Sequence, residues 1–348
     1  MNDTQPHIAA AAPTPPPQHV IMQMLMGMQS AQAVATAARL GIADVLATSP
    51  PQESTALARA VGADTTALAR LLRTLVSLGV LSQPLPHTYA LTAIGEVLRS
   101  DIPGSMRDLL MVLTDTPHWQ AWGKLYESVR SGQPMVPQLF GMPIFAYYAA
   151  HPEELASFSR ALGNLSALAA QGTVHNYDFS HARHIVDVGG AHGDLLLAIV
   201  QANPQARGTV FDLPHVAEAA RQAITVQGYH GRCEVLGGDF FQSVPPGGDF
   251  YMLKLILHDW QDTEALRILH NCRAAMTPNG TLLVIETVIP DDNHLSPAQL
   301  SDLNMLVMTG GQERTAREYG ALLAQAGFRL TRLIPTGSPY DVLEAVVV

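Results

Sequence analysis

The second half of the chain alternates short apolar runs with helical segments, and this alternation restricts the fold more than any other feature. After about residue 182, seven runs rich in Val, Ile and Leu are separated by segments with helical periodicity. Runs that are apolar throughout are typical of a mostly parallel sheet covered by helices on both faces. The last two runs are close enough to form an antiparallel hairpin. We predict strands over 184–188, 208–211, 233–236, 249–257, 281–286, 328–335 and 342–348.

From about residue 20 to 180 the pattern is mainly helical. Leu68, Leu72 and Leu75 fall on one helical face, Asp64 or Thr65 can cap that helix, and a hairpin is predicted over 79–91. Helix, turn, helix and hairpin make a winged-helix-like unit, an arrangement that some proteins use to read DNA. The second helix carries only two arginines, so we favour packing or dimerisation. We predict a disordered leader over 1–19, this helical domain over 20–180 and the sheet domain over 181–348.

Charge and cysteine content exclude several classes of protein. The 348 residues include 20 basic and 30 acidic side chains, a net charge of -10, and no basic run suited to nucleic-acid phosphates. The two cysteines fit neither a metal site nor a disulfide framework. The N-terminus lacks the features of a secretory signal, and no apolar run reaches membrane-spanning length. We expect a cytoplasmic protein that binds neither nucleic acid nor membrane.

The first predicted strand runs into a glycine-containing loop, DVGGAHGDL, that can bring backbone close to a ligand. A dinucleotide fingerprint places its third glycine at the sixth position, where the helix meets a pyrophosphate. Here Gly189, Gly190 and Gly193 are followed by Asp194 at that position, and an acid there would repel phosphate. The spacing favours the cationic, phosphate-free nucleoside S-adenosylmethionine over NAD, with a purely structural turn as the third interpretation.

Three predicted neighbouring strands each lead into an acidic residue. These acids are Asp187, Asp212, which precedes Leu213, and Asp239, which precedes Phe240. The carboxyl ends of parallel strands face the crevice in which open sheets bind ligands. Asp212 suits ribose hydroxyls, and Phe240 can lie against a purine.

The fourth strand and its exit place the tripeptide His258, Asp259 and Trp260 at the same edge of the sheet. Histidine can accept a proton from a phenol near neutral pH, although a histidine beside a helix cap at Asp259 is the structural alternative. Glu286 ends the fifth strand, and Glu313 follows on a glycine-flexible turn. Either carboxylate can orient an imidazole, and each can equally be a cap or a solvated residue. Neither a hydrolase motif nor a metal-binding spacing is present, so we predict no metal site.

The motifs DVGGAHG, FDLP, GGDFF, LHDW, LLVIET and GGQERT occur in the order found in one enzyme family. Over roughly residues 20–348 the chain resembles the small-molecule O-methyltransferases of the caffeic acid and acetylserotonin type and their bacterial natural-product relatives. The resemblance implies a Rossmann-like C-terminal domain that binds S-adenosylmethionine. It also implies a homodimer, built by helical N-terminal domains that exchange helices and help to cover the substrate.

Matched position by position, the resemblance puts Gly189 at the methionine part of the cofactor, Asp212 on its ribose and Asp239 at its adenine. It makes His258 the general base, flanked by two glutamates. The full set of cofactor contacts that we predict is Ser166, Asp187, Gly189, Asp212, Leu213, Asp239, Phe240 and Lys254. Ala191 stands where the family more often has glycine.

The predicted acceptor is a planar, polycyclic phenol. We expect the acceptor site to be lined by flat aromatic and deformable methionine side chains, each of which also suits a hydrophobic core. We predict acceptor contacts from Trp122, Met135, Phe140, Met142, Phe145, Asp259, Trp260, Met305 and Met308. Methylation of nitrogen, decarboxylation or hydroxylation on the same fold, and a DNA-binding regulator are the alternatives.

Overall fold

A computed structural model describes residues 15–49, 51–292 and 294–348. The chain forms two compact units, which meet in sequence at Ile102 and Pro103. Of the predicted leader, residues 1–14 lie outside the described residues, and the first helix begins at Pro17. Among the described helices, none has both the length and the apolar character needed to cross a membrane.

The N-terminal unit contains five described helices and a small antiparallel sheet. Asp64 caps α4, because its Oδ1 accepts the Ala67 N–H at 2.7 Å, and Leu68, Leu72 and Leu75 are buried as predicted. The predicted hairpin is β2 and β3, with β1 added to its edge. The elements are α1 (Pro17–Arg39), α2 (Ile42–Thr48), β1 (Gln52–Glu53), α3 (Ser54–Val61), α4 (Thr65–Ser77), β2 (Leu81–Leu85), β3 (Thr88–Leu91) and α5 (Ala93–Glu96).

The C-terminal unit opens with six helices and continues as an alternating α/β domain. The helices that precede the large sheet are α6 (Arg107–Leu113), α7 (Thr116–Trp122), α8 (Leu125–Ser131), α9 (Val136–Phe140), α10 (Ile144–Ala150) and α11 (Pro152–Asn176). The α/β domain contains β4 (His184–Val188), α12 (Asp194–Ala202), β5 (Arg207–Asp212), α13 (Pro214–Val226), β6 (Cys233–Gly237), β7 (Phe250–Lys254), α14 (Asp262–Ala275), β8 (Thr281–Glu286), β9 (Val288–Ile289), α15 (Pro297–Met308), β10 (Arg314–Thr315), α16 (Ala316–Gln325), β11 (Phe328–Ile334) and β12 (Asp341–Val347).

Seven strands form the large sheet in the order β11-β12-β8-β7-β4-β5-β6. Only β12 runs antiparallel to its neighbours, which confirms the predicted sheet and its final hairpin. The prediction of a strand over 249–257 was wrong for its last three residues, because β7 ends at Lys254. Leu255 adopts a left-handed φ of 54°, which ends β7 and turns the chain into a 3-10 turn over Leu257–Asp259. The order of strands changes direction at β4, so the ends of β4, β5 and β7 border a ligand crevice.

The compact units divide the chain earlier than the boundary predicted near residue 180. Ala169 and Ala170 of α11 are buried with Leu195 and Leu196 of α12 in the main core of the α/β domain. The small side chains let the two helices approach closely, so α11 packs with the sheet domain although its own pattern is that of the helical half. Helical periodicity thus identified the elements but not the unit to which they belong.

Candidate functional site

The loop after β4 is shaped by residues with left-handed backbone. Gly189 has φ +72°, and a Cβ added there would lie 2.4 Å from the Cδ1 atom of Ile256. Ala191 also adopts a positive φ of 49°, and its N–H donates to Asp212 Oδ2 at 2.9 Å. The loop is therefore bonded to the end of β5 and pressed against the exit of β7. This leaves its backbone open to a ligand at the carboxyl edge of the sheet.

The three predicted acids stand in different surroundings at this edge. Asp187 is 1% exposed, and burial raises the pKa of its carboxyl to about 7 although Lys254 opposes the rise. Burial also raises the pKa of Asp212, whose carboxylate accepts the N–H groups of Ala191 and Leu213. Asp239 accepts an N–H from the following turn at 2.8 Å.

The same edge fits a cationic nucleoside better than a dinucleotide. Neither carboxylate oxygen of Asp187 has a hydrogen-bond partner among the described residues, and Asp194 at the start of α12 adds further negative charge. Phe240 is half-buried beside Phe241, with the ring centroids 4.9 Å apart. The predicted cofactor contact Ser166 is buried on α11, and Leu213 is largely exposed.

His258 lies in the 3-10 turn that follows β7, and the side chain of Glu286 accepts hydrogen bonds from the backbone of that turn. Glu286 Oε1 accepts the backbone N–H groups of Ile256 at 3.0 Å and Leu257 at 2.8 Å. Its other oxygen, Oε2, lies 3.4 Å from His258 Nδ1. The glutamate thus fixes both the backbone and the ring of the histidine.

Glu313 reaches the same ring nitrogen from the GGQERT segment. Its Oε1 lies 3.1 Å from His258 Nδ1. The segment is brought there by a short parallel ladder of β9 with β10, in which Arg314 pairs with Val288, two residues after Glu286. Gly311 is required for the approach, because a Cβ on it would lie 2.0 Å from the carbonyl oxygen of His258.

These contacts determine the protonation of the imidazole. Because Nδ1 faces two carboxylates, we assign to it the proton that the neutral imidazole keeps, so Nε2 is the nitrogen that gives up its proton when the ring deprotonates. Burial alone would lower the pKa of His258, but the carboxylates of Glu286, Asp259 and Glu313 outweigh it and raise the pKa to about 10. Burial raises the pKa of Glu286 to about 7 and that of Asp259 to about 6.

The interpretation of Asp259 as a helix cap was wrong. The following helix begins at Asp262 with Gln261 at its N-cap position, and Asp259 instead lies with its Oδ1 4.0 Å from His258 Nε2. Sequence reasoning also missed Arg314, which is 2% exposed. Its guanidinium donates to the carbonyl oxygens of residues on both sides of the His258–Asp259 pair and to Asp262. The position of Arg314 directly after Glu313 was the available signal.

Several predicted acceptor contacts come together in one apolar cluster formed by α7, α9, α10 and α15. Met135 and Met308 are buried in it, whereas Phe145 is 48% exposed on α10, Met305 is half-buried on α15, and Trp260 packs edge-on against Phe241. The predicted residues in the cluster are Trp122, Met135, Phe140, Met142 and Met308.

Helix α15 supplies polar groups that the sequence analysis did not identify. Asn304 Oδ1 accepts the indole N–H of Trp122, which packs against the apolar cluster, at 2.9 Å. Ser301 and Asp302, one turn earlier, both bond to Glu313. Ser301 lies three and four residues before Asn304 and Met305, and this spacing was the signal of a common face.

His258, Glu286 and Glu313 offer ligand atoms within 4.8 Å of one another, a spacing that could also hold a cation. Two of the carboxylate oxygens are already engaged by backbone N–H groups or by Ser301. The sequence-based expectation that the protein uses no metal stays a prediction.

The chain matches two protein-family models and several known proteins. Residues 122–329 match the model of an O-methyltransferase domain, and residues 22–101 match that of an O-methyltransferase dimerisation domain. The chain is 40% identical over 331 residues to phenazine O-methyltransferase PhzM of Lysobacter antibioticus, covering 95% of this chain and 96% of the relative.

One further relative is named as an N-methyltransferase, and one solved structure contains both the methyl donor and an aromatic ligand. Phenazine-1-carboxylate N-methyltransferase of Pseudomonas aeruginosa is 33% identical, with 90% of this chain and 92% of the relative covered. The crystal structure of an O-methyltransferase from neocarzinostatin biosynthesis, in complex with S-adenosylmethionine and 2-hydroxy-5-methyl naphthoic acid, aligns with a TM-score of 0.79 at 34% identity, covering 91% of this chain and 96% of that one. The chain therefore belongs to the O-methyltransferase family, and it is an enzyme that uses S-adenosylmethionine as its methyl donor.

Proposed function

We propose that the enzyme methylates a hydroxyl group on an aromatic, polycyclic natural product, with His258 as the general base. The observation that carries this proposal is the pair of carboxylates on one side of the imidazole. Glu313 at 3.1 Å and Glu286 at 3.4 Å both face Nδ1, so the opposite nitrogen is left to accept a proton.

The chemistry assigned to the protein side chains is proton removal and positioning. S-adenosylmethionine supplies a methyl group that is already activated by the positive charge on its sulfur. His258 Nε2 takes the proton of the acceptor hydroxyl, and Glu286 and Glu313 stabilise the imidazolium that results. Because the electrophile needs no further activation, alignment of the reactants accounts for much of the rate acceleration.

The residues that would hold the cofactor are those at the ends of β4 to β7. Asp212 is suited to the ribose hydroxyls, and Asp239 with Phe240 to the adenine. The open backbone at Gly189 suits the methionine part, and the Asp187 carboxyl, whose pKa burial raises to about 7, can ionise beside a cationic ligand. Ser166 and Lys254 remain further proposed contacts.

The apolar cluster supports an aromatic acceptor. Flat rings and methionine side chains provide surface for a planar ring system. Relatives named for phenazine and naphthoate substrates agree with this acceptor class. Of the predicted wall residues, Trp122, Phe140 and Met142 have the strongest support, because they pack against the cluster and keep exposed surface, whereas Met135 and Met308 are buried.

Methylation of nitrogen is the second candidate, because a relative of 33% identity carries the name of an N-methyltransferase. A ring nitrogen with a lone pair needs no base, whereas a phenol does. A paired His258 therefore favours oxygen as the acceptor atom.

We also propose a homodimer formed through the N-terminal unit. The first half of α1 exposes a run of large apolar side chains, at 54 to 67% of their surface, that a partner subunit would cover: Ile21, Met22, Met24, Leu25, Met26 and Met28. The match to a dimerisation domain over residues 22–101 includes this helix from Met22 onward. Light scattering that gives twice 37.3 kDa is the expected result, and a monomer at micromolar concentration would exclude the proposal.

The test of function is product analysis with S-adenosylmethionine labelled in its methyl group. The full-length enzyme is incubated with hydroxyphenazines, hydroxynaphthoates and matched amino-substituted rings. We expect label in an aryl methyl ether, identified by mass spectrometry and NMR. Label only on nitrogen would replace this proposal with the second candidate.

A further inference from the structure

A serine of α15 shares the carboxylate oxygen that faces the histidine. Ser301 Oγ donates a hydrogen bond to Glu313 Oε1 at 2.7 Å. The same oxygen lies 3.1 Å from His258 Nδ1, and the Glu313 side chain has no exposed surface. Ser301 is thus one hydrogen bond away from the base through an oxygen that water does not reach.

The next residue of the helix holds the backbone of the same glutamate. Asp302 Oδ1 accepts the N–H of Glu313 at 3.0 Å. Two consecutive residues of α15 therefore bind the side chain and the main chain of Glu313. Hydrogen bonds at both places restrict the carboxylate to one orientation.

The helix that bears Ser301 also forms part of the apolar cluster. Asn304 accepts from Trp122 at 2.9 Å, and Met308 is buried among the cluster residues. Helix α15 is therefore a single rigid element that bonds to the glutamate behind the base and lines the proposed acceptor region.

We propose that Ser301 is a positioning residue, which acts on His258 by holding and polarising the Glu313 carboxylate. The inference rests on the proposed role of His258 as the base. The hydroxyl satisfies an oxygen that otherwise has only the imidazole as a donor, and it keeps that oxygen in line with Nδ1. Asp302 fixes the backbone of Glu313, and Ser301 donates the hydrogen bond that stabilises the negative charge of the Glu313 carboxylate.

The direction of its effect on proton binding follows from the charges around the ring. A donor to a carboxylate stabilises the ionised form, so removing the hydroxyl makes the cluster of His258 and its carboxylates bind a proton more tightly. This direction holds whichever group of the cluster carries that proton. The other titratable and charged groups that pack around His258 and Glu313 are Asp259, Glu286, Asp302, Arg314, Tyr319 and Tyr340.

The test compares three variants of the full-length enzyme. Ser301→Ala removes the donor, and Ser301→Thr restores a hydroxyl. Ser296→Ala is the control for the stability of α15, because Ser296 caps that helix through the Ala298 N–H and is not bonded to Glu313. The pH profile of kcat and the NMR titration of the His258 ring, in the complex with S-adenosylhomocysteine, are measured for each. His258→Gln identifies the ring signal by its loss.

Ser301→Ala is expected to move the acid limb of kcat and the His258 titration upward by about one pH unit, a tenfold change in proton binding. Ser301→Thr should return both to the wild-type position, and Ser296→Ala should leave both in place. An unshifted titration in Ser301→Ala, or an equal shift in Ser296→Ala, would overturn the inference. Failure of the proposed base is detected separately, as full turnover of His258→Gln, and the NMR titration still tests Ser301.

Discussion

Substitution of Glu286 by glutamine tests the assignment of the imidazole proton most sharply. Backbone N–H groups of Ile256 and Leu257 donate to Oε1 at 3.0 and 2.8 Å, so the amide oxygen of Glu286→Gln must keep that position. The amide N–H₂ then takes the place of Oε2, 3.4 Å from His258 Nδ1. That amide would face the N–H of Nδ1, whose proton Glu313 Oε1 still accepts at 3.1 Å, so two opposed donors would push the ring out of its position.

In the displaced ring Nε2 is no longer aligned with the acceptor hydroxyl, and one carboxylate fewer stabilises the imidazolium. We expect kcat to fall by roughly 10²- to 10⁴-fold, the usual contribution of a general base, or about 3 to 5 kcal/mol in activation free energy. Affinity for S-adenosylhomocysteine should be unchanged, because Glu286 is not among the predicted cofactor contacts.

The assay is kcat for methyl transfer to the best phenolic acceptor, with calorimetric titration of S-adenosylhomocysteine in parallel. Glu264→Gln is the matched control, since this substitution removes the same charge from an exposed residue at the start of α14. A kcat for Glu286→Gln within twofold of that of Glu264→Gln would refute the assignment of the proton to Nδ1.

Three further predictions concern the cofactor loop, the base and the last strand. Gly189→Ala should weaken S-adenosylhomocysteine binding roughly 5- to 30-fold in calorimetry, because a left-handed φ costs a side chain about 1–2 kcal/mol. Ala191→Gly is its matched control, and equal affinities for the two variants would contradict the role of the loop. Because carboxylates raise the pKa of His258 to about 10, kcat should rise with pH, with its acid limb above 6.5. A limb below 6 would exclude that base. Arg332 holds the pKa of Glu344 at about 2, so this carboxylate adds stability above its ordinary value of 4.5 that is lost as the pH falls towards 2. Thermal unfolding of Glu344→Gln should therefore differ from wild type at pH 7 and converge with it near pH 2, and a constant difference would disprove the link.

The sheet could be predicted because its central strands are buried on both faces and carry a local apolar signal. The exit of β7 could not, since the strand ends at Leu255 in a left-handed conformation that is uncommon for a branched, bulky residue. The cost of that conformation is offset by the hydrogen bonds that Glu286 makes with the next two residues. A contact of such long range leaves no trace in the local pattern.

The three central residues of the candidate site could be predicted, but the residues that hold them in place could not. His258, Glu286 and Glu313 carry recognisable chemistry at a strand end or in a turn next to one, and the structure brings them together. Ser301 and Arg314 have only weak local signals, which are a helical spacing and a position directly after Glu313. Their roles depend on the pairing of β9 with β10 and on the packing of α15, which are decided by tertiary contacts.

The most direct test of the central claim is the single-turnover rate of methyl transfer to a phenolic acceptor by wild type and His258→Gln, each saturated with S-adenosylmethionine and followed across pH. We predict a loss of roughly 10²- to 10⁴-fold in the variant, together with loss of the acid limb that wild type displays. A variant that transfers methyl groups at the wild-type rate with the same pH profile would contradict the assignment of His258 as the base.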